Sequence, residues 1–111
     1  MTYAMSKAKK SVLFVCIENS SRSQIAEGFA KSLGLEAESA GTFPATHVNP
    51  LVVQAMLEKG IDISQKVPKA LTKEIIDRAD VVVLTDASIE KSLPKNLRGK
   101  MRGETRIVVH C

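Results

Sequence analysis

The stretch VLFVCIENSSRSQIAEGF, Val12 to Phe29, decides how the rest of the chain is read. It continues a near-unbroken apolar run, SVLFVCI from Ser11 to Ile17, of the kind that fits a strand covered on both faces, as in a parallel sheet. From Ser21 to Leu33 the apolar residues fall at Ile25, Ala26, Phe29, Ala30 and Leu33, which draws one face of a helix, and Gly34 can end it. A strand therefore delivers the Cys16 thiol to the start of a helix, with the Arg22 guanidinium beside it.

The pattern continues outward. Leu35 to Ala40 is a short second strand candidate, broken by Gly41, and Thr42 to Asn49, TFPATHVN, is loop-like. Asn49-Pro50 is a good helix start, Asn as N-cap and Pro in the first helical position, and this second helix runs to about Lys59 with Gly60 as its stop. Met56 and Leu57 on it are assigned to the core. Leu71 to Arg78 predicts a short helix capped by Thr72, and Asp80 to Leu84 a third buried strand. Ala87 to Leu97 is expected to be helical in part, and Arg106 to His110 a fourth strand. Strand and helix alternate throughout, which implies an α/β domain: a four-stranded parallel sheet, helices on both faces, right-handed crossovers. Ligands in such folds bind beyond the carboxyl ends of the strands, the edge at which the Cys16–Arg22 loop leaves the first strand.

The chain has 111 residues, 44% hydrophobic and 25% charged, the material of one ordinary globular core. Residues 1–10 are expected to be a polar, basic lead-in, and residues 11–111 a single domain. No apolar run is long enough to span a bilayer, and no secretory signal pattern is present. The net charge of +4 suits anionic ligands, but with one Tyr and three Phe a base-stacking surface for nucleic acid is poorly supported. Two cysteines, Cys16 and Cys111, make no disulfide framework, and the expected setting is a reducing cytoplasm.

The loop from Cys16 to Ser23 offers what an oxyanion needs. A loop entering a helix turns several backbone N–H groups inward at the positive end of the helix dipole. Arg22 can hold two oxygens of a tetrahedral anion through its planar fork. The same positive surroundings stabilise a thiolate, and a thiolate beneath a bound phosphate is in line to attack phosphorus. Ser23 is placed to hydrogen-bond the sulfur and Asn19 to brace the loop. The plainer alternative is a buried strand cysteine and a surface arginine.

CIENSSRSQIAEGF resembles the active-site signature of the low-molecular-weight protein tyrosine phosphatases and of the arsenate reductases that share their fold, Cys-x-Gly-Asn-x-Cys-Arg-Ser followed by Pro or Gln and then x-Ala-Glu. The resemblance continues in SAGTFPATHVNPLVVQAMLEKGIDIS, in PKALTKE and in ADVVVLT, and covers about Val12 to His110. It implies Cys16 as nucleophile forming a phosphocysteine, Arg22 binding the phosphate and stabilising the transition state, and Asn19 and Ser23 in support. The backbone of Ile17, Glu18, Asn19, Ser20, Ser21 and Arg22 would cradle the oxygens. It implies no metal and no organic cofactor.

The departures are as informative. Glu18 stands where the signature has Gly, which adds a carboxylate at an anion site. Ser21 replaces the second cysteine, and the positions of the thioredoxin-coupled reductases' relay cysteines fall near Asp86 and Leu93, so the intramolecular disulfide relay is expected to be absent. The family's Asp-Pro acid loop and last helix follow the fourth strand, where this chain ends at Val109-His110-Cys111, and both are expected to be missing. Asp86 is the candidate substitute acid, or else a helix N-cap. His110 is a weaker candidate, and Cys111 is either a chain-end thiol or an oxidation partner of Cys16. His47 belongs to the loop that lines the substrate mouth in the family, and the basic stretch Lys95 to Arg106 is either a guide for an acidic partner or a solvated face.

Three functions follow as expectations. The first is a cysteine-dependent phosphatase acting on phosphotyrosine proteins or small aryl phosphomonoesters. The second is an arsenate reductase supplied by an external thiol reductant. The third is a non-catalytic module that binds phosphate or phosphoprotein. None calls for nucleic acid or a membrane.

Overall fold

The computed structural model describes residues 10–93, 97 and 106–109. The expected lead-in falls outside them but for Lys10, as do His110, Cys111 and the basic stretch after Leu93 apart from Leu97 and Arg106. The elements are β1 (Ser11–Cys16), α1 (Arg22–Ser32), β2 (Glu36–Gly41), α2 (Pro50–Glu58), α3 (Lys73–Arg78), β3 (Val81–Leu84), α4 (Ile89–Ser92) and β4 (Arg106–Val108). The four strands form one parallel sheet in the order β2-β1-β3-β4. Register aligns Cys16 with Gly41 and Val15 with Leu84, so the carboxyl ends of β2, β1 and β3 come level.

Strand alternation places helices on both faces. On β2 the buried Ser39 meets Glu27 of α1, while its neighbour Ala40 joins the apolar cluster of Leu13, Val15, Leu84, α3 residues Ile75 and Ile76, and Ile89 of α4. A smaller cluster of Val48, Met56 and Ile63, with Ile25 and Val52 against it, packs α2 on α1. The punctuation behaves as its chemistry dictates. Asn49 accepts the Leu51 amide at 2.9 Å, Thr72 accepts that of Ile75 at 3.2 Å, and Gly34 and Gly60 take φ of 87° and 79° just beyond α1 and α2.

Four local expectations are corrected. Gly41 does not break β2 but closes it, paired with Cys16, because its bare Cα lets the loop after β1 lie against it. Ile17 has left β1 and is exposed. Leu57 is exposed, whereas Met56 is core. The inner face of α1 carries Ser23, Gln24, Glu27, Gly28 and Ala30, while Phe29 and Leu33 face outward. That face serves the loop after β1, and a loop rich in backbone polar groups needs polar neighbours.

Candidate active site

The loop Cys16–Arg22 is held from outside by the segment after β2. The amides of Thr42, Phe43, Ala45 and Asn49 bond the carbonyls of Cys16, Ile17, Glu18 and Ser20 at 3.1, 2.7, 2.9 and 3.0 Å. In a trans peptide the N–H lies opposite the C=O. Anchoring those carbonyls outward therefore turns the next amides, of Ile17, Glu18, Asn19 and Ser21, to the inner side of the loop. N-cap Ser21 makes no side-chain cap, so the first-turn amides of α1 also keep their capacity. The TFPATHVN loop thus works as a buttress, and His47 on it is exposed, 3.0 Å from Thr46 Oγ1 and away from the cavity lining.

Asn19 is the keystone. It is the one non-glycine residue with positive φ (54°) among the described residues, and it is fully buried. Asn tolerates this left-handed region better than other side chains. Its backbone N–H reaches Cys16 Sγ at 3.0 Å. Its Nδ2 donates to Ser23 Oγ at 2.7 Å and Ser39 Oγ at 2.9 Å, and its Oδ1 accepts the Lys69 amide at 2.9 Å and Gln24 Nε2 at 3.2 Å. Ser23 Oγ, 2.8 Å from Cys16 Sγ, accepts from Asn19 and so keeps its own proton for the sulfur. Two donors converge on one buried sulfur.

Above the sulfur lies a cavity of about 250 Å³ lined by Cys16, Ile17, Glu18, Ser20, Ser21, Arg22, Thr85, Asp86 and Ile89. Of the loop residues singled out in the sequence, Asn19 and Ser23 stand behind the loop, while Cys16, Ile17, Glu18, Ser20, Ser21 and Arg22 face the opening with Asp86. Arg22 Nη1 donates to Asp86 Oδ2 at 3.0 Å and lies 3.5 Å from the Thr85 carbonyl. Asp86 also accepts the Ser88 amide at 2.9 Å, just ahead of α4. That backbone hydrogen bond, and next the Arg22 guanidinium, hold its carboxyl below the usual carboxylate range. Glu18 is exposed on the rim, its Oε1 3.5 Å from Ser20 Oγ.

The sequence reading missed Ser39, Glu27 and Lys66. Ser39 Oγ donates to Glu27 Oε1 at 2.5 Å, and Glu27 Oε2 accepts Lys31 Nζ at 2.8 Å and Lys66 Nζ at 2.7 Å. A hydrogen-bonded line thus runs from Lys66 through Glu27, Ser39, Asn19 and Ser23 to the sulfur. The one available signal was the place of Glu27 in the x-Ala-Glu that closes the signature.

A family model described as low molecular weight phosphotyrosine protein phosphatase matches residues 11–110. Arsenate reductase 2 of Staphylococcus haemolyticus is 40% identical over 88 residues, covering 78% of this chain and 67% of its own. A low molecular weight protein tyrosine phosphatase from T. tengcongensis superposes with a TM-score of 0.76 at 32% identity, over 90% of this chain and 73% of that one. A thioredoxin-dependent arsenate reductase of Corynebacterium glutamicum gives 0.74 at 28%, over 97% and 54%. Sheet order, loop geometry and these likenesses agree, and the chain belongs to the low molecular weight phosphotyrosine protein phosphatase family, whose fold phosphatases and arsenate reductases share.

Proposed function

We propose that the chain is a cysteine-dependent phosphomonoester hydrolase, acting on phosphotyrosine or a small aryl phosphate. The observation that carries the reading is the convergence of the Asn19 N–H and the Ser23 hydroxyl on Cys16 Sγ, at the floor of a cavity that Arg22 enters. The Cys16 thiolate attacks phosphorus, and the P–O bond to the organic group breaks. Inward amides of the loop and the Arg22 fork hold the three remaining oxygens as charge builds on them. The leaving oxygen takes a proton from Asp86, the acidic group on the opposite lip. Water then attacks the phosphocysteine, giving up its proton to Asp86, and the P–S bond breaks with the electron pair returning to sulfur. Asp86 starts paired with Arg22 and ionised. An incoming dianion competes for Arg22 and, by adding negative charge nearby, favours the protonated acid the first step needs.

The test is hydrolysis of p-nitrophenyl phosphate from pH 4 to 8 under reducing conditions. Cys16→Ser and Arg22→Ala should each abolish turnover while leaving the thermal unfolding transition cooperative. Residual turnover in clean Cys16→Ser protein sinks the mechanism.

A second reading is favoured by the 40% identity to an arsenate reductase. Cys16 would attack arsenate in place of phosphate, water would leave, and an external dithiol or pair of thiols would supply the two electrons that carry arsenic to arsenite. The external reductant is required because Asp86 and Leu93 stand where the relay cysteines are aligned. Arsenite formation with glutathione, a bacillithiol-type thiol or thioredoxin tests it. Both reactions need a free thiol, which fits a reducing compartment such as the cytoplasm. Among the described residues no helix is long and apolar enough to cross a membrane.

A further inference from the structure

Glu18 is the rim residue that neither reaction uses. It projects from the loop that cradles the oxyanion, and it occupies a position where a glycine would suffice for the backbone, since the positive φ falls on Asn19 instead. Its place is fixed: its carbonyl accepts the Ala45 amide at 2.9 Å, and its neighbours' carbonyls are anchored as well. Among the described residues no Lys, Arg or His lies within 4.0 Å of its carboxylate, which is met by Ser20 Oγ at the long distance of 3.5 Å. Across the cavity Asp86 is the second carboxylate, and Arg22 is already committed to it.

The opening therefore has a charge pattern that a bare oxyanion does not match. The floor, with its amides and Arg22, wants negative charge, and the rim at Glu18 repels it. Beside Glu18 the rim is apolar: Ile17, which also lines the cavity, is 41% exposed. Like-charge juxtaposition at a rim acts on choice of partner more than on affinity.

Resting on the proposed oxyanion chemistry, we infer that Glu18 is a specificity-determining residue that selects substrates carrying a cation. The substrate class is a phosphomonoester whose organic group is apolar next to the oxyanion and ends in an ammonium or guanidinium. Such a group lies along Ile17 and brings its positive charge to Glu18, while an anionic tail meets two carboxylates.

The test reads binding, so that it stands apart from turnover. Two benzylphosphonates are titrated calorimetrically into the protein at low ionic strength, one bearing an aminomethyl group and one a carboxylate on the ring. The aminomethyl compound is expected to bind about 1.5-fold to fivefold more tightly, the range of an exposed ion pair. Glu18→Gln should bring the ratio near one and Glu18→Lys should invert it, and added salt should shrink it in the native protein. Equal affinities in the native protein, a preference that survives Glu18→Gln, or failure of both compounds to bind overturns the inference. Selective binding without hydrolysis of p-nitrophenyl phosphate would instead remove the phosphatase reading and leave the role of Glu18 standing.

Discussion

Asn19 spends every polar atom of its side chain, and that economy makes it a sensitive probe of the site. Asn19→Ala keeps the volume small but takes one partner each from the Ser39 and Ser23 hydroxyls and Gln24, leaves the Lys69 amide without its acceptor, and places a Cβ-bearing residue without local hydrogen bonds at φ 54°. An unsatisfied buried group costs about 1–3 kcal/mol, so a loss of about 2–4 kcal/mol is expected in urea unfolding. Asn19→Gly relieves the backbone and not the network, so it should recover only part of this. Asp86 separates in another way. As the general acid, Asp86→Asn should lower kcat on phosphotyrosine about 10²–10⁴-fold, and much less on p-nitrophenyl phosphate, whose leaving group needs little protonation. As a mere partner of Arg22, the same change would tighten phosphate binding and spare kcat. Steady-state kinetics on the two substrates distinguishes the outcomes. The places of Cys16, Arg22 and Asp86 around the cavity were legible in the sequence because Cys16 ends β1, Arg22 begins α1 and Asp86 lies just beyond β3, where local pattern fixes position. Ser39 was not, since nothing local says that a strand serine will face a helix glutamate.

At the scale of elements, two glycines make a contrast. A Cβ on Gly41 would come 2.6 Å from the Ile17 carbonyl oxygen and 2.9 Å from the Asn19 nitrogen, both backbone atoms of the loop after β1. A Cβ on Gly28 would meet Met56 Cε at 2.6 Å, the free end of a flexible side chain. Gly41→Ala must therefore push the loop, and a cost of about 1–3 kcal/mol is expected, as for overpacking, together with a loss of activity from displaced amides. Gly28→Ala gains about 1 kcal/mol of helix propensity against Met56 rearrangement and should change stability little. Paired denaturation curves and p-nitrophenyl phosphate rates check both. The strands, caps and stops of this fold were readable because they depend on neighbours in sequence: Asn49 before Pro50, Thr72 before α3, Gly34 and Gly60 after their helices. The facing of α1 was misread for the opposite reason. Hydrophobic spacing put Phe29 and Leu33 inside, yet the helix turns its polar stripe inward to the loop.

Across the whole molecule, Glu27 joins α1, β2 and the segment after α2 through one buried carboxylate, 2% exposed. Burial alone pushes its carboxyl up, but hydrogen bonds from Lys31, Lys66 and Ser39 outweigh it, so the net shift is downward. A folded-state value below the unfolded one of about 4.3 stabilises the protein at higher pH. That contribution is full above the unfolded value and is lost as pH falls through the folded one. Glu38, lowered by Lys69 and Arg78 against its own burial, acts in the same window but is more exposed and counts for less. The native protein should therefore lose stability steeply below about pH 4.3, and Glu27→Gln should flatten that slope while lowering the plateau at neutral pH. Lys66→Met leaves the carboxylate buried with Lys31 as its one cation and Ser39 as its other donor. It should cost less than the roughly 3–5 kcal/mol of a wholly broken buried pair, and it should move the acid transition to higher pH as the Glu27 pKa rises. Chemical denaturation from pH 3 to 8 on the three proteins measures both effects. Because Glu27 reaches Cys16 Sγ only through Ser39, Asn19 and Ser23, Lys66→Met should also slow phosphate-ester turnover at neutral pH. A variant as stable as the native protein at pH 4, with unchanged kcat, would show that the line of hydrogen bonds carries neither load.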